Sequence, residues 1–415
     1  NKNIMFFFYK ILINFLLLLS PIILIIRLIK GKEDHIRFKE KFGFFSKKRN
    51  YGKLIWFHGA SVGEIQSIIP LIEKFEKNKK VNQILITSNT KSSSYIIKKF
   101  KFKKTIHQFF PIDCNFISKK FINYWRPSKV FFIDSEIWPN TLNNLYEMNI
   151  PIILLNGRIT KKTFNRWLIF SKFANSIFGK FSLCLSSSKE SKNFLKRLGA
   201  RNVKLIGNLK YSQSENEGIN LNKNLKKFIF SRSSWCASST HNYEEEICGK
   251  THLLLMKKYK NLLTIIIPRH INRVSSIKDQ LIKMNLNVHL DEPKKKISPN
   301  TDVYLVNSYG KTKSFYKVCK NVFLGGSLIK HGGQNPLEAV RYGCNIMHGP
   351  NVSNFKEIYE FLKKKNVTNK IIDQKQLASV LNKTLKKKNV SKKIIQNLHF
   401  VGVDILNKTY KEICK

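Results

Sequence analysis

The sequence predicts an α/β protein made of two successive halves, each a parallel sheet flanked by helices. Three observations carry this. Short apolar runs alternate with stretches of helical periodicity along most of the 415 residues, a pattern of βαβ units. Several runs end in small or polar residues where the chain turns into a helix. A polar stretch, Tyr211 to Asn224, separates two such series and reads as a linker. At roughly 100–200 residues per domain, this length suggests two or three domains. The expected division is an anchor segment over 1–32, a first domain over 33–212 and a second over 225–415, with the active site in a cleft between the two domains.

Ile11 to Ile26 carries no charge and is rich in Leu and Ile. With its flanks it approaches the ~20 residues needed to span a bilayer. Arg27 to Lys32 offers no small-residue cleavage site, so the segment reads as an uncleaved anchor. Asn14, Ser20 and Pro21 leave a kinked or interfacial helix open. The basic cluster from Arg27 to Lys41 belongs on the cytoplasmic side and attracts anionic headgroups. Phe42, Phe44 and Phe45 suit core packing better than membrane docking.

The first domain opens with a strand over Lys53 to Phe57, a small-residue turn over His58 to Gly63 and a helix starting at Glu64. In open α/β sheets, ligands bind outside the carboxyl ends of strands. A carboxylate there can take a proton from an incoming hydroxyl. Ser61-x-x-Glu64 is equally a capping box, which satisfies the first amides of a helix. Strands follow at Gln83–Thr87, Val130–Ile133, Ile152–Leu155, Leu183–Ser186 and Val203–Ile206, with a helix over Ser92–Phe100. Three of these strands run into Asp134-Ser135-Glu136, Asn156-Gly157-Arg158 and Gly207-Asn208-Leu209-Lys210. Taken alone, Glu136 reads as well as a structural acid, and Lys210 as a surface lysine.

In the second domain we expect a strand at Phe228–Ser231, a turn at Ala237–His241 and a helix over Tyr243–Tyr259. Leu263–Ile267 is a strand ending at Pro268-Arg269-His270. Weaker strands follow at Val288 to Leu290 and Val303–Val306, and a stronger one at Val322–Leu324. From Gln376 the tail is helical and basic. Gly325-Gly326-Ser327 through Asn335-Pro336-Leu337-Glu338 suits close approach of a ligand and a helix start with Asn335 as cap and Pro336 at its first position. Free amides at such a start bind anions, and Glu338 can accept from ribose hydroxyls. The same residues also fit an ordinary glycine turn before a capped helix. Arg269 suits a phosphate or plain solvent. Neither G-x-x-x-x-G-K-[ST] nor G-x-G-x-x-G occurs, so a P-loop ATPase or Rossmann oxidoreductase is not supported.

Lys and Arg number 75 against 26 Asp and Glu, a formal charge of +49. This favours anionic partners such as phosphorylated substrates, acidic membrane or nucleic acid. The lysines are spread along the whole chain, and no zinc finger, RNA-recognition motif or single basic stripe supports nucleic-acid binding. Seven cysteines without a C-x-x-C pair read as isolated thiols in a reducing compartment. No metal or cofactor is expected.

Several stretches together carry more than any one. FHGASVGE, DSEIWPN, NGRIT, GNLKYS, ASSTHNYEEE, PRH and GGSLIKHGGQNPLEAVRYG resemble, in order and spacing, the motifs of the Kdo transferases, the 3-deoxy-D-manno-octulosonic acid transferases of lipopolysaccharide assembly. The resemblance runs to about Leu362. It implies a GT-B glycosyltransferase with two Rossmann-like domains, moving Kdo from CMP-Kdo to a lipid A precursor at the cytoplasmic face of the inner membrane, with inversion at the anomeric carbon. It also implies Glu64 as general base, Glu136 and Lys210 as transition-state stabilisers, and contacts to CMP from Pro268, Arg269, Tyr309, Gly310, Lys311, Asn335, Pro336, Leu337 and Glu338. Arg158 would face the sugar carboxylate. Four positions depart from the family pattern. Lys311 replaces a usual acidic residue, Asp134 a glutamate, Gly157 an alanine and Ala339 a proline. A related transferase using a UDP-sugar is the nearest alternative; calorimetry with CMP against UDP separates the two.

Overall fold

The computed structural model describes residues 2–31, 33–213, 220–292, 296–385 and 392–415. The chain forms two compact units, Asn1–Ser214 with Phe400–Lys415, and Glu215–His399. Part of the expected linker (214–219), the last residue of the expected anchor (32) and part of the basic tail (386–391) lie outside the described residues.

The first unit starts with α1 (Lys2–Ile29) and contains a seven-stranded sheet: β1 (Leu54–His58), β2 (Gln83–Ser88), β3 (Thr105–Phe109), β4 (Lys129–Ile133), β5 (Ile152–Gly157), β6 (Leu183–Ser186) and β7 (Val203–Leu205). Its helices are α2 (Val62–Glu76), α3 (Lys91–Lys98), α4 (Asn115–Trp125), α5 (Pro139–Glu147), α6 (Lys161–Leu168), α7 (Ser171–Phe178) and α8 (Lys189–Arg197). The strand order is β3-β2-β1-β4-β5-β6-β7, and all pairs are parallel, for example Phe57 with Ile86 on one side and with Phe131 on the other. Covered on both faces, β1 is buried at every residue, as central parallel strands are. One face packs Trp56, Phe121, Trp125 and Phe132, the other Phe57, Ile68, Ile72 and Phe131.

The second unit repeats the plan. Its strands are β8 (Ser233–Thr240), β9 (Leu262–Pro268), β10 (Val288–Leu290), β11 (Val303–Leu305), β12 (Asn321–Leu324), β13 (Asn345–His348) and β14 (Thr368–Lys370). They are ordered β10-β11-β9-β8-β12-β13-β14. Its helices are α9 (Lys223–Phe230), α10 (Glu244–Met256), α11 (Val274–Lys283), α12 (Thr312–Val318), α13 (Leu337–Arg341), α14 (Lys356–Lys364) and α15 (Gln374–Thr384). In α16 (Lys392–Cys414), the part from Phe400 belongs to the first unit, where Ile405 and Ile413 are buried in its core.

The structure differs from the sequence reading at particular elements. Phe228 and Ile229 lie in α9, where Leu225 and Ile229 are buried four residues apart. This is helical spacing, and the strand starts only at Ser233. Ala237 to Thr240 are not a turn but the end of β8, whose small residues sit buried at the sheet centre. β3, β13 and β14 were not foreseen. In β3 the buried polar pair His107 and Gln108 disguises the strand; His107 meets Ser88 Oγ at 2.9 Å and Gln108 donates to Phe44 O at 3.1 Å. The final sixteen residues pack with the first unit instead of the second. All seven cysteines are free, six of them buried.

Candidate active site

In each sheet the strand order reverses beside the first strand: between β1 and β4 in the first unit, between β8 and β12 in the second. At such a switch point the connections leave in opposite directions and open a crevice at the carboxyl ends of the strands. The residues singled out in the sequence follow these ends.

Glu64 sits in the first turn of α2, just past β1. The capping box forms in full: Ser61 Oγ accepts from Glu64 N at 3.3 Å, while the Glu64 carboxylate accepts from Ala60 N at 2.6 Å, Ser61 N at 3.3 Å and Ser61 Oγ at 2.9 Å. Capping does not end its chemistry. Burial, then the charges of Asp134 and Glu136, raise its pKa to about 7 against the stabilising hydrogen bonds from Ser61. A carboxyl group poised near neutrality at a crevice is suited to general base catalysis. Gly59 suits this turn, because a Cβ would make tight contacts of 3.1 Å with both Glu64 Cβ and Ile133 Cδ1.

Glu136 follows β4, on the other side of the switch point. Trp138 Nε1 donates to Glu136 Oε2 at 2.9 Å, and His58 Nε2 lies 3.3 Å from the same oxygen. His58 is fully buried, stacked on Phe110 at 3.9 Å, with its Nδ1 2.9 Å from Thr87 Oγ1. With Thr87 donating to Nδ1, the ring has its Nε2–H left for Glu136. His58 and Trp138 thus fix the carboxylate, roles that the sequence reading did not assign to them.

Asp134, just past β4, and Asn156, the penultimate residue of β5, lie in the left-handed region, at φ 57° and 53°. Asp and Asn tolerate this backbone better than other residues with a Cβ. The turn aims their side chains at each other, and Asn156 Nδ2 donates to Asp134 Oδ1. Asn156 Oδ1 in turn accepts from Leu209 N at 2.9 Å, and Lys210 Nζ lies 3.3 Å from Asp134 Oδ2. Lys210 is therefore a half-buried lysine in a polar network and not a solvated surface residue. Arg158 N donates to Asp134 O at 3.0 Å, joining the strand end of β5 to this network. Gly157 matches its surroundings: a Cβ there would meet Leu154 Cδ2 at 2.9 Å and Leu195 Cδ1 at 3.2 Å.

In the second unit, Pro268 ends β9 and Arg269 is exposed beyond it, its backbone N–H donating to Thr240 O at 3.0 Å. Glu244, fully buried at the start of α10, accepts from Gly326 N at 2.7 Å and from Ser327 N and Leu328 N at 3.0 Å. This carboxylate clamps the glycine loop after β12; burial raises its pKa despite those amides. Gly325 must be glycine, since a Cβ would approach Ser239 O at 2.4 Å. The helix α13 starts one residue later than expected: Pro336 takes the cap position without a side-chain cap bond, and Asn335, one residue before it, accepts from Leu337 N at 3.1 Å. Glu338 pairs with Lys313 at 3.3 Å. Tyr309 is exposed and Gly310 adopts φ 90°. Lys311 points its ammonium at Asp291 Oδ2, 2.5 Å away, and that buried carboxylate also accepts from Tyr304 OH at 2.7 Å. Among the described residues, no group of three potential metal ligands occurs.

Comparison with known proteins now bears on this geometry. The family described as "3-Deoxy-D-manno-octulosonic-acid transferase (kdotransferase)" matches residues 36–213. The 3-deoxy-D-manno-octulosonic acid transferase of Rickettsia bellii is 31% identical over 379 residues, 90% of this chain and 89% of that protein. The chain belongs to the Kdo transferase family. The Haemophilus influenzae 3-deoxy-D-manno-octulosonic acid transferase is 30% identical over 364 residues, 86% of this chain and 84% of its own length. As a Kdo transferase the protein is a glycosyltransferase. In fold it is similar to a crystal structure of UDP-N-acetylglucosamine 2-epimerase, with a TM-score of 0.60 at 12% identity over 86% of this chain and 94% of that one. It is also similar to the Anabaena Alr3699/HepE structure, with a TM-score of 0.54 at 12% identity over 87% and 99%. At that identity the likeness concerns architecture alone, that of two Rossmann-like parallel-sheet domains of the GT-B type.

Proposed function

We propose that this Kdo transferase moves Kdo from CMP-Kdo to a hydroxyl of a phosphorylated lipid A precursor, lipid IVA, by one inverting displacement. The observation that carries the mechanism is Glu64, whose carboxyl group lies at the carboxyl end of β1 with its pKa raised to about 7. As the acceptor oxygen forms its bond to the anomeric carbon, its proton passes to Glu64 and the bond from that carbon to the CMP phosphate breaks. Glu136, fixed by His58 and Trp138, stabilises the positive charge developing on the sugar. Lys210, beside Asp134, offsets the negative charge of the donor. Arg269, with Pro268, and the backbone of Tyr309–Lys311 and Asn335–Glu338 hold CMP and stabilise its phosphate as it leaves.

The membrane reading has its own support. One helix, Ile4–Ile29, is long and apolar enough to cross a membrane, and a +49 chain favours an anionic surface and a phosphorylated acceptor. We place the enzyme at the cytoplasmic face of the inner membrane.

The test is transfer from labelled CMP-Kdo to lipid IVA, with products separated by mass. Wild-type protein yields the Kdo-bearing lipid. Glu64→Gln lowers kcat by roughly 10²–10⁴, the range for losing a general base, and leaves CMP affinity by calorimetry within twofold. Near-normal turnover in that variant would reduce Glu64 to its capping role.

A further inference from the structure

The first helix is fastened to its unit at both ends. Near its start, Tyr9 OH donates to Asp113 Oδ2 at 2.8 Å, the rings of Phe6 and Tyr9 lie 6.3 and 6.4 Å from Phe173, and Cys114 Sγ lies 3.1 Å from Asn14 Oδ1. Asp113 is itself locked, accepting from Thr141 N at 2.8 Å and Asn140 N at 3.0 Å. Near the other end, Arg27 Nε lies 2.6 Å from Glu33 Oε1, and Glu33, fully buried, is also held by Lys41 at 2.7 Å. Between these ends Ser20 and Leu24 are buried. Positions 5, 6, 9, 10, 13, 17, 20, 24, 27 and 28 are the sheltered ones; most are spaced by three or four, which marks one face of a helix. The opposite face, with Phe8, Phe15, Leu18, Ile22, Ile25 and Ile29, is exposed.

Tyr9 and Arg27 are 18 residues apart, about 27 Å along a helix, close to the ~30 Å of a bilayer's hydrocarbon core. A crossing helix would put the two fastenings at opposite faces of the membrane. It would also draw the buried carboxylates of Asp113 and Glu33, and the folded chain between them, into lipid, where charges and irregular backbone are costly. A helix lying flat leaves both fastenings on one side.

We infer that α1 lies in the plane of a single leaflet, its exposed face in lipid and its sheltered face on the first unit, and does not cross the bilayer. Lipid suits this face for two reasons. It is uncharged from Ile11 to Ile26, and Lys10, Arg27 and Lys30 at its ends can reach anionic headgroups. Phe116, Ile169 and Phe170 are exposed as well, and they lie within four residues in sequence of Cys114 and Phe173, which α1 touches.

The inference rests on the membrane association proposed above, and one experiment separates the two. In a Cys414→Ser background, which leaves only buried thiols, Ile4→Cys and Lys30→Cys variants of the full chain are expressed in bacteria. Inside-out and right-side-out inner-membrane vesicles are then treated with a membrane-impermeant maleimide. Both cysteines should label in inside-out vesicles and neither in right-side-out ones, with less than twofold difference between them. Labelling of the two positions from opposite sides would overturn the flat helix while keeping membrane association. Recovery of the protein outside the membrane fraction, including as a soluble dimer that covers the apolar face, would overturn both.

Discussion

Glu64 serves two ends that conflict. As a cap it accepts from Ala60 and Ser61, and as a buried carboxyl group beside Asp134 and Glu136 it resists ionisation. Its pKa, raised from 4.5 to about 7, has two measurable consequences. If Glu64 is the base, kcat/KM rises with pH and levels off above an apparent pKa near 7. Asp134→Asn moves that limb to lower pH, because it removes a neighbouring negative charge. The second consequence is thermodynamic. A carboxyl group whose folded pKa lies above its unfolded one contributes stability below pH 4.5 that is lost as pH rises towards 7. Glu64→Gln mimics the protonated form, so it should match wild type in stability at pH 4 and exceed it at pH 8, by roughly 1–3 kcal/mol. Denaturant titrations at the two pH values check this. The same carboxylate would then oppose stability and support turnover, as functional groups often do.

At the scale of elements, the turn between β11 and α12 shows how a departure from the family pattern is absorbed. Lys311 directs its ammonium at Asp291, 2.5 Å away on the residue after β10. Its side chain is thereby committed within the fold, and the nucleotide contact we propose here falls to the backbone of Tyr309–Lys311. Lys311→Met strands a buried carboxylate and should lower stability by about 3 kcal/mol, read by urea unfolding. CMP affinity in the folded variant should change less than threefold by calorimetry; a larger loss would mean that the ammonium itself meets the ligand. The legibility of elements follows the same logic. Strands such as β1 and β4 could be read because burial on both faces makes them continuously apolar. β3 and β14 could not, since His107, Gln108 and Thr368 are polar residues in buried strand positions. Glu64, Glu136 and Lys210 were visible as strand-end residues. The Asp134–Asn156 pair and the support of His58 were not, because they depend on left-handed backbone and on strands adjacent in space but distant in sequence.

At the scale of the molecule, the chain's last stretch completes the first unit's core. From sequence it read as a basic tail of the second domain, since its lysines outweigh its apolar stripe. In the structure Ile405 and Ile413 are buried beside Ile72, Phe75 and Leu209, and Val401, Leu406 and Tyr410 pack against the same cluster. Polar contacts reinforce it: Asn78 Nδ2 donates to Tyr410 OH at 3.1 Å, and Lys129 Nζ to Ile413 O at 2.8 Å. Gly402 allows the helix to pass close to Tyr211, whose carbonyl oxygen a Cβ would approach within 2.1 Å. The segment therefore supports the underside of α2, the helix that carries Glu64, and the turn that carries Lys210. Truncation after His399 should destabilise the first unit by more than a single core deletion does. Ile405→Ala alone should cost about 2–4 kcal/mol, as truncation of a buried Ile does. Urea unfolding followed by tryptophan fluorescence reads the first unit preferentially, because Trp56, Trp125, Trp138 and Trp167 lie there against Trp235 alone in the second. An unchanged midpoint in the Ile405→Ala variant would show that the segment does not support that core. A lowered midpoint with CMP affinity unchanged would assign its contribution to the first unit, although the segment follows the second in sequence.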